Sequence, residues 1–407
     1  MRPKILFVTD LPLWSMREAT GGPAFSQTLK KYMDENWEVF ILSSDPRNQE
    51  YTGLDAEHNV VVRCPSFMER NIHLKKIGLI FRYLNHQWAT KAFCRHVREM
   101  IGDHREHTLL YAYEIFGVKA CSILARELNV PMVTRFQGTI LSQFKPCLAN
   151  RIKRYPHYQA LSEKADLVIM TDDGTQGDQV LRQLHNKSDQ ILFLRNGLEL
   201  MEKDVPKMVA AFDRAAFRSK LGIGADDTMF LTVSRLTGWK RVDRAIDGFA
   251  DCNKKNPHTK LVIVGDGDSR EALEKQAEAL GVRDHVIFAG AVQHDAVYQY
   301  MMACDIFVSL YDLSNVGNPL LEAMTLGKCV VTLDVGDTNK LICNRQNGII
   351  LTYTMLPLLG DIFSELIENK ALRDRLGSHA REYALANFCS WKERMDKEYM
   401  SVSKLII

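Results

Sequence analysis

The residues best suited to chemistry lie in the segment Val308–Gly327, which reads VSLYDLSNVGNPLLEAMTLG. An apolar strand leads into a polar loop, and a helix is expected to begin with Asn318 as its cap and Pro319 at its first position. Backbone N–H groups and the positive end of the helix dipole would then face one crevice, which suits a phosphate group. Glu322, one turn further on, is the only charged residue of this apolar helix, and its carboxylate could accept hydrogen bonds from sugar hydroxyls. The alternative is an ordinary strand–helix junction with a solvated glutamate.

Two basic residues follow an earlier apolar strand. Arg235 and Lys240 lie on either side of a Gly-Trp turn in MFLTVSRLTGWKRVDRAIDGFADC, which begins at Met229. Fixed cations at this position could stabilise the negative charge of a departing diphosphate without a metal ion. A charged helix start is the alternative interpretation.

The next predicted strand ends in the turn Gly265–Asp268, which reads GDGD. This turn superficially matches a D-x-D metal motif. Because it joins a strand to an amphipathic helix, we expect Asp268 to cap that helix and not to bind a metal ion.

Strand and helix patterns alternate along nearly the whole chain, which predicts a doubly wound α/β protein. The segment Leu200–Met208 lacks strand periodicity and is predicted to be a linker, and a second alternating set begins at Met229. Two Rossmann-like halves would place ligands at the carboxyl ends of their strands. The strands predicted in the first half are Lys4–Thr9, Glu38–Ser43, Val60–Arg63, Leu109–Tyr113, Pro131–Arg135, Leu167–Thr171 and Ile191–Leu194.

The order and spacing of these segments, together with CVVTLDVGDTNKLI and NGIIL after Glu322, resemble the C-terminal domain of the GT-B glycosyltransferases of family 4. The resemblance is strongest over roughly residues 190–352 and weaker over the N-terminal half. It implies the GT-B fold, with two Rossmann-like doubly wound domains facing across a cleft. The implied domains are an acceptor-binding domain at residues 1–203, a nucleotide-sugar-binding domain at 204–385 and a final helix at 386–407 that crosses back to the first domain.

The resemblance also implies roles for single residues. Arg235 and Lys240 would hold the donor diphosphate, and Glu322, the second glutamate of an E-x7-E motif, would bind the ribose. The first glutamate of that motif falls on Ser314, whose neutral hydroxyl would make a weaker contact with the donor sugar, and Asp312 could substitute for it. The other implied donor-binding residues are Gly21, Gly22, Gly265, Val292, Asn315, Val316, Gly317, Asn318 and Leu320.

The N-terminal half offers two further sites by the same resemblance. Tyr113 and Glu114 end the fourth predicted strand, where many relatives carry a histidine beside a glutamate, and we expect them to be catalytic. A tyrosine cannot act as a general base near neutral pH unless its pKa is strongly perturbed, and a core tyrosine is the alternative. Gln137 and Gly138 end the fifth strand and are expected on the acceptor side.

Gly21 and Gly22 follow the first predicted strand. Because glycine has no side chain, the backbone can approach the donor phosphates closely there, although a simple turn is the alternative interpretation.

Composition narrows the class of protein. The net charge of the 407 residues is +2, which does not indicate nucleic-acid binding. Nine cysteines without C-x-x-C spacing favour a reducing, cytoplasmic compartment, and no apolar run is long enough to span a membrane. Residues 70–98 carry seven Lys or Arg and no acidic residue, so they could lie against the inner face of an anionic membrane. A helix packed on the sheet with a solvated basic face is the alternative.

We therefore predict a retaining hexosyltransferase that needs no metal or cofactor. It would move a hexose from a nucleotide diphosphate sugar to a glycan, lipid-linked or small-molecule acceptor, in surface polysaccharide or glycoconjugate biosynthesis. Two alternatives stay open. One is an epimerase or hydrolase of nucleotide sugars on the same fold; the other is a non-catalytic nucleotide-sugar-binding subunit, suggested by Ser314 and the missing histidine.

Overall fold

The computed structural model describes residues 2–11, 24–43, 59–61, 78–101 and 106–406, which form two compact units. The first unit comprises Met1–Asp172, Gln176–Asn196 and Lys392–Ile407, and the second comprises Asp173–Thr175 and Gly197–Trp391. The chain therefore passes into the second unit at residue 197, whereas the sequence placed the boundary at residue 203. Its C-terminal residues return to the first unit at Lys392.

The first unit is built on a seven-stranded parallel sheet in the order β3-β2-β1-β4-β5-β6-β7. Its strands are β1 Lys4–Thr9, β2 Glu38–Ser43, β3 Asn59–Val61, β4 Thr108–Tyr113, β5 Met132–Phe136, β6 Leu167–Thr171 and β7 Gln190–Leu194. Its helices are α1 Ala24–Asp34, α2 Gly78–Ile101, α3 Ile115–Leu128, α4 Leu148–Lys153, α5 Tyr155–Ser162, α6 Gly177–Gln183 and all but the first residue of α15, Trp391–Ser403. The predicted strands β1, β2 and β6 have the observed bounds, and the predicted bounds of β4, β5 and β7 differ from the observed ones by one residue. The last two residues of the predicted strand Val60–Arg63 lie outside the described residues.

The second unit contains a six-stranded parallel sheet in the order β10-β9-β8-β11-β12-β13. Its strands are β8 Thr228–Val233, β9 Thr259–Val264, β10 Val286–Gly290, β11 Ile306–Ser309, β12 Cys329–Leu333 and β13 Ile349–Leu351. Its helices are α7 Val205–Ala211, α8 Arg214–Lys220, α9 Val242–Asn253, α10 Arg270–Ala279, α11 His294–Ala303, α12 Asn318–Thr325, α13 Leu359–Glu368 and α14 Lys370–Asn387. The strand order reverses between β8 and β11, which is where ligands bind in doubly wound sheets.

The prediction that Leu200–Met208 forms a linker is wrong. A short 3₁₀ turn, Glu199–Glu202, is followed directly by helix α7. The Asp204 carboxylate caps this helix by accepting a hydrogen bond from the backbone N–H of Lys207, and Pro206 occupies its first turn. An Asp cap with Pro in the first turn is a recognised helix start, so the lack of strand periodicity in this segment does not indicate a linker.

Each central strand contributes side chains to two separate apolar cores. In β1, Leu6 and Val8 pack into one core, whereas Ile5 and Phe7 pack into the core on the other face of the sheet. Strands buried on both faces read as continuous apolar runs, which is why their positions were predictable.

A buried ionic network attaches α15 to the first sheet. The Glu398 carboxylate of α15 pairs with Arg135 of β5 at 3.0 Å and with Arg394, and it accepts a hydrogen bond from Tyr111 of β4 at 2.5 Å. Burial alone would raise the pKa of Glu398, but Arg135 and Arg394 hold it below its ordinary value. The carboxylate therefore stays ionised inside the core, which ties the end of the chain to the central strands of the first unit.

Candidate functional site

The structure brings most of the predicted donor-binding residues to one edge of the second sheet. Arg235 and Lys240 follow β8, and the polar loop Tyr311–Asn318 follows β11, the strand paired with β8. Gly265 follows β9 and Val292 follows β10. Because all these strands are parallel, their carboxyl ends share an edge, and the two cations and the polar loop meet where the strand order reverses.

Lys240 is held between two aromatic rings. Its Nζ atom lies 4.1 Å from the ring centre of Trp239 and 3.9 Å from that of Tyr311. Burial, together with the nearby charge of Arg235, lowers the pKa of Lys240 to about 7, although Asp173 opposes both effects. Within the described part of the chain, neither Lys240 nor Arg235 forms an ion pair with a carboxylate. The site therefore presents positive charge that a bound anion would stabilise.

Helix α12 begins at Asn318, and the residue before it is Gly317, which has no side chain to cap the helix. The prediction that Asn318 caps the helix is wrong. The turn is made instead by the buried side chain of Asn315, which accepts a hydrogen bond from the N–H of Tyr311 at 2.9 Å and donates to the carbonyl of Leu333 at 3.0 Å. With no capping side chain in its way, the positive end of this helix can approach a ligand directly.

Glu322 is buried on α12, with 2% of its surface exposed. Its carboxylate lies 3.4 Å from Nε2 of His294, and the same nitrogen is 2.8 Å from the hydroxyl of Tyr298. Burial, together with the nearby charge of Glu199, raises the pKa of Glu322 to about 8, although Lys203 opposes both effects. Sequence reasoning missed the His294–Tyr298 pair, although their spacing of four residues at the start of α11 places them on one helix face.

The loop before α12 is already engaged in internal contacts. The Asp312 carboxylate pairs with Arg244 at 2.6 Å and with Arg241 at 3.4 Å. The Ser314 hydroxyl donates to the carbonyl of Asp173 at 2.5 Å and accepts a hydrogen bond from the N–H of Val316 at 3.1 Å. That Asp312 or Ser314 contacts the donor sugar stays a prediction. Such a contact would have to form beside, or in place of, the ion pairs and hydrogen bonds described here.

Three other predicted donor residues have structural roles of their own. Leu320 and Val316 are buried in the apolar core, so their side chains pack within the protein. Gly265 has a positive φ of 133°, and a Cβ atom there would lie 1.8 Å from the carbonyl oxygen of Ser234. Only glycine fits at that position.

The GDGD turn does not cap its helix as expected. Helix α10 follows Ser269, and no side chain caps it. Asp266 instead accepts a hydrogen bond from the N–H of Gly267 and pairs with Arg270. Among the residues that the structure describes, no three His, Cys, Asp or Glu side chains lie close enough together to hold a metal ion.

In the first unit, the predicted catalytic and acceptor-side residues form one hydrogen-bonded cluster. The Gln137 side chain donates to the hydroxyl of Tyr113, and the N–H of Gln137 donates to the Glu114 carboxylate at 2.8 Å. Glu114 has a φ of 66°, an unfavourable conformation that is concentrated at functional sites, and Gly138 has a φ of 133°. Burial raises the pKa of Tyr113 to about 12, so the hydroxyl is not a general base near neutral pH.

Two predicted regions fall wholly or partly outside the described residues. Gly21 and Gly22 both lie outside them. Of the basic segment 70–98, the structure describes residues 78–98, which lie in α2. Across the described ranges, no helix is both long and apolar enough to cross a membrane.

Comparisons with known proteins relate this chain to glycosyltransferases. Residues 213–383 match the family described as Glycosyl transferases group 1. Alpha-D-kanosaminyltransferase from Streptomyces kanamyceticus is 26% identical over 271 residues, which cover 65% of this chain and 69% of that protein. Alpha-monoglucosyldiacylglycerol synthase from Streptococcus pneumoniae is 30% identical over 193 residues, which cover 47% of this chain and 43% of that protein.

A solved structure extends the likeness to both units. HepE from Anabaena, crystallised in complex with UDP, aligns with a TM-score of 0.72 at 20% identity, covering 98% of this chain and 100% of that one. The fold is therefore GT-B, as predicted. Residues 213–383 are similar in sequence to the group 1 glycosyltransferases, and the whole chain is similar in fold to a GT-B protein.

Proposed function

We propose that this protein is a retaining glycosyltransferase that moves a hexose from a nucleotide diphosphate sugar to a glycan, lipid-linked or small-molecule acceptor. The observation that carries the proposal is the pair of cations, Arg235 and Lys240, at the switch point of the second sheet, in the unit that also holds the start of α12 and Glu322. Such an arrangement suits a diphosphate linked to a ribose.

The cations would act on the leaving group. A nucleoside diphosphate gains negative charge as the bond to the sugar breaks, and Arg235 and Lys240 would stabilise that charge without a metal ion or cofactor. The pKa of Lys240 is lowered to about 7. A bound diphosphate would raise it, so Lys240 would be fully charged when the donor is present.

The acceptor hydroxyl must transfer its proton to a base during the reaction. Tyr113, with its pKa raised to about 12, is a poor base, which favours the leaving phosphate itself as the proton acceptor. Glu322 would hold the ribose hydroxyls. Tyr113, Glu114 and Gln137 would position the acceptor.

A uridine nucleotide is the donor class that we propose, because HepE was crystallised with UDP. The Streptococcus relative is named as a synthase of a glycosylated diacylglycerol, which supports a lipid-linked acceptor. The eight described cysteines are all free, which supports a cytoplasmic protein.

We also propose that the first unit contacts an anionic membrane through what we term the α2–α4 surface, Ile80, Tyr83, Leu148 and Ile152. These apolar side chains are exposed, Leu148 by 74% and Ile152 by 55%. The Arg82 guanidinium joins the two helices by donating to the carbonyl of Lys153 at 3.2 Å. Exposed apolar residues beside basic ones are typical of surfaces that lie in a membrane interface.

Vesicle sedimentation tests this contact. Wild-type protein should bind phosphatidylglycerol vesicles more tightly than phosphatidylcholine vesicles, and Ile152→Asp should weaken that binding. Leu385→Asp is the matched control, because Leu385 is 54% exposed on the second unit. Equal binding by wild type and Ile152→Asp would contradict the membrane proposal.

A donor screen followed by product analysis tests the main proposal. The protein is incubated with UDP-glucose, UDP-N-acetylglucosamine or GDP-mannose, with and without lipid and glycan acceptors, and the anomeric configuration of the product is read by NMR. Acceptor-dependent transfer with retained configuration is expected. Rapid turnover without an acceptor would favour the epimerase or hydrolase, and tight nucleotide binding without transfer would favour the non-catalytic subunit.

A further inference from the structure

Ser314 lies where the resemblance to family 4 would place the first glutamate of the E-x7-E motif. Ser314 is buried, and its hydroxyl donates to the backbone carbonyl of Asp173 at 2.5 Å. Gly174 packs against it so closely that a Cβ atom on Gly174 would lie 2.3 Å from the Ser314 hydroxyl. The space beside residue 314 is therefore occupied by the segment Asp173–Thr175, which belongs to the second unit.

This segment is fixed in place by further contacts. The carbonyl of Gly174 accepts a hydrogen bond from the N–H of Asp337 at 3.0 Å. Within the segment, the Asp173 carboxylate accepts hydrogen bonds from the N–H of Thr175 at 3.0 Å and from its hydroxyl at 2.6 Å. The carboxylate thus has a defined orientation and is not a flexible surface group.

The same carboxylate lies within electrostatic range of the candidate diphosphate site. Asp173 raises the pKa of Lys240, opposing the effects of burial and Arg235. The Asp173 carbonyl accepts a hydrogen bond from the Ser314 hydroxyl, so the side chain of Asp173 is attached to a backbone that contacts position 314. The Asp173 carboxylate therefore acts on the proposed phosphate-binding cation, and its own backbone contacts the position where a glutamate is missing.

We propose that Asp173 supplies the carboxylate that position 314 lacks, and that it binds hydroxyl groups of the donor sugar. This inference rests on the proposed function and specifies which residue recognises the hexose. A carboxylate accepts strong hydrogen bonds from sugar hydroxyls, whereas the Ser314 hydroxyl is committed to backbone groups.

Calorimetric titration of Asp173→Asn with UDP and UDP-glucose tests the inference. Asparagine keeps an oxygen that can accept both hydrogen bonds from Thr175, so the change removes the charge and preserves the turn. Titrations at pH 6 keep Lys240 protonated, since its pKa is about 7. We expect affinity for UDP-glucose to fall about 10-fold or more, while affinity for UDP stays within about 2-fold of wild type.

Asp172→Asn is the matched control, because it makes the same change one residue earlier, where the carboxylate pairs with Arg195 at 2.7 Å in the first unit. This variant should bind both ligands as wild type does. Retained UDP binding also shows that each variant is folded. If Asp173→Asn binds UDP-glucose as tightly as wild type, or loses UDP and UDP-glucose equally, the inference is wrong. If wild-type protein binds neither these ligands nor GDP and GDP-mannose, the proposed function itself fails.

Discussion

Replacing Glu322 with Gln should have opposite effects on stability and on nucleotide binding. Burial raises the pKa of this carboxyl group from 4.5 to about 8, so the folded protein retains a proton that the unfolded chain loses. As the pH rises from about 4.5 to about 8, the free energy of unfolding of wild type should therefore decrease. Glutamine carries no such proton, so Glu322→Gln should be as stable as wild type at low pH and more stable at high pH.

The rise in the pKa of Glu322 sets an upper limit on the difference in stability between Glu322→Gln and wild type. Raising the pKa of Glu322 from 4.5 to about 8 corresponds to a loss of about 5 kcal/mol in the free energy of unfolding when the group is ionised. Because relaxation around a buried charge reduces this cost, we expect Glu322→Gln to be about 2 kcal/mol more stable than wild type at pH 9. For a unit of this size, that difference raises the unfolding midpoint by about 4–8 °C. At pH 9, where the wild-type carboxyl group is ionised, the same variant should bind UDP about 10-fold more weakly, because an amide oxygen replaces a charged acceptor for the ribose hydroxyls.

Thermal unfolding from pH 5 to pH 9, with and without UDP, measures both effects in one experiment. In the absence of nucleotide, the unfolding midpoint of the variant should rise relative to that of wild type as the pH increases. The increase in midpoint caused by UDP should be smaller for the variant than for wild type. A variant less stable than wild type at every pH would show that the Glu322 carboxylate holds the fold together. UDP stabilisation equal to that of wild type would show that Glu322 does not contact the nucleotide.

Four other variants should separate catalytic from structural roles. Arg235→Ala and Lys240→Ala should each lower turnover by about 10²-fold in a transfer assay, because each removes a cation from the diphosphate site; unchanged turnover with intact folding would exclude that site. Ser314→Ala should cost about 0.5–1.5 kcal/mol of stability in urea unfolding, since its hydroxyl bonds two backbone groups; full stability would show that those bonds contribute little. Glu398→Gln should cost about 3 kcal/mol or more by the same assay, because Arg135 and Arg394 would stay buried without their carboxylate; wild-type stability would show that the network does not anchor α15.

The sheets were predictable because their strands are buried on both faces. Such strands appear in the sequence as short, continuous apolar runs, and β1, β2 and β6 were predicted with their observed bounds. Helix starts were harder to locate. Asp204 caps α7 in a segment predicted to be a linker, while Asn315, and not Asn318, makes the turn before α12. Several polar residues compete at such turns, and tertiary packing selects among them.

The candidate site was predictable only in part. Arg235, Lys240 and Glu322 could be identified from their positions after strands and on a helix. The contact of Tyr311 with Lys240 and that of His294 with Glu322 each join side chains from separate elements. Neither contact has a signature of local spacing between its partners, so both emerge only from the folded structure. The approach of Asp173 to Ser314 joins residues 141 positions apart, which no local pattern encodes.

The central claim is that Arg235 and Lys240 bind the diphosphate of the donor. Calorimetric titration of UDP and uridine into wild type and into the double variant Arg235→Ala, Lys240→Ala tests it most directly, because uridine shares the base and ribose but lacks the phosphates. Wild type should bind UDP at least about 100-fold more tightly than uridine, and this ratio should collapse in the double variant while uridine binding persists. A wild-type preference for UDP that survives in the double variant would contradict the claim.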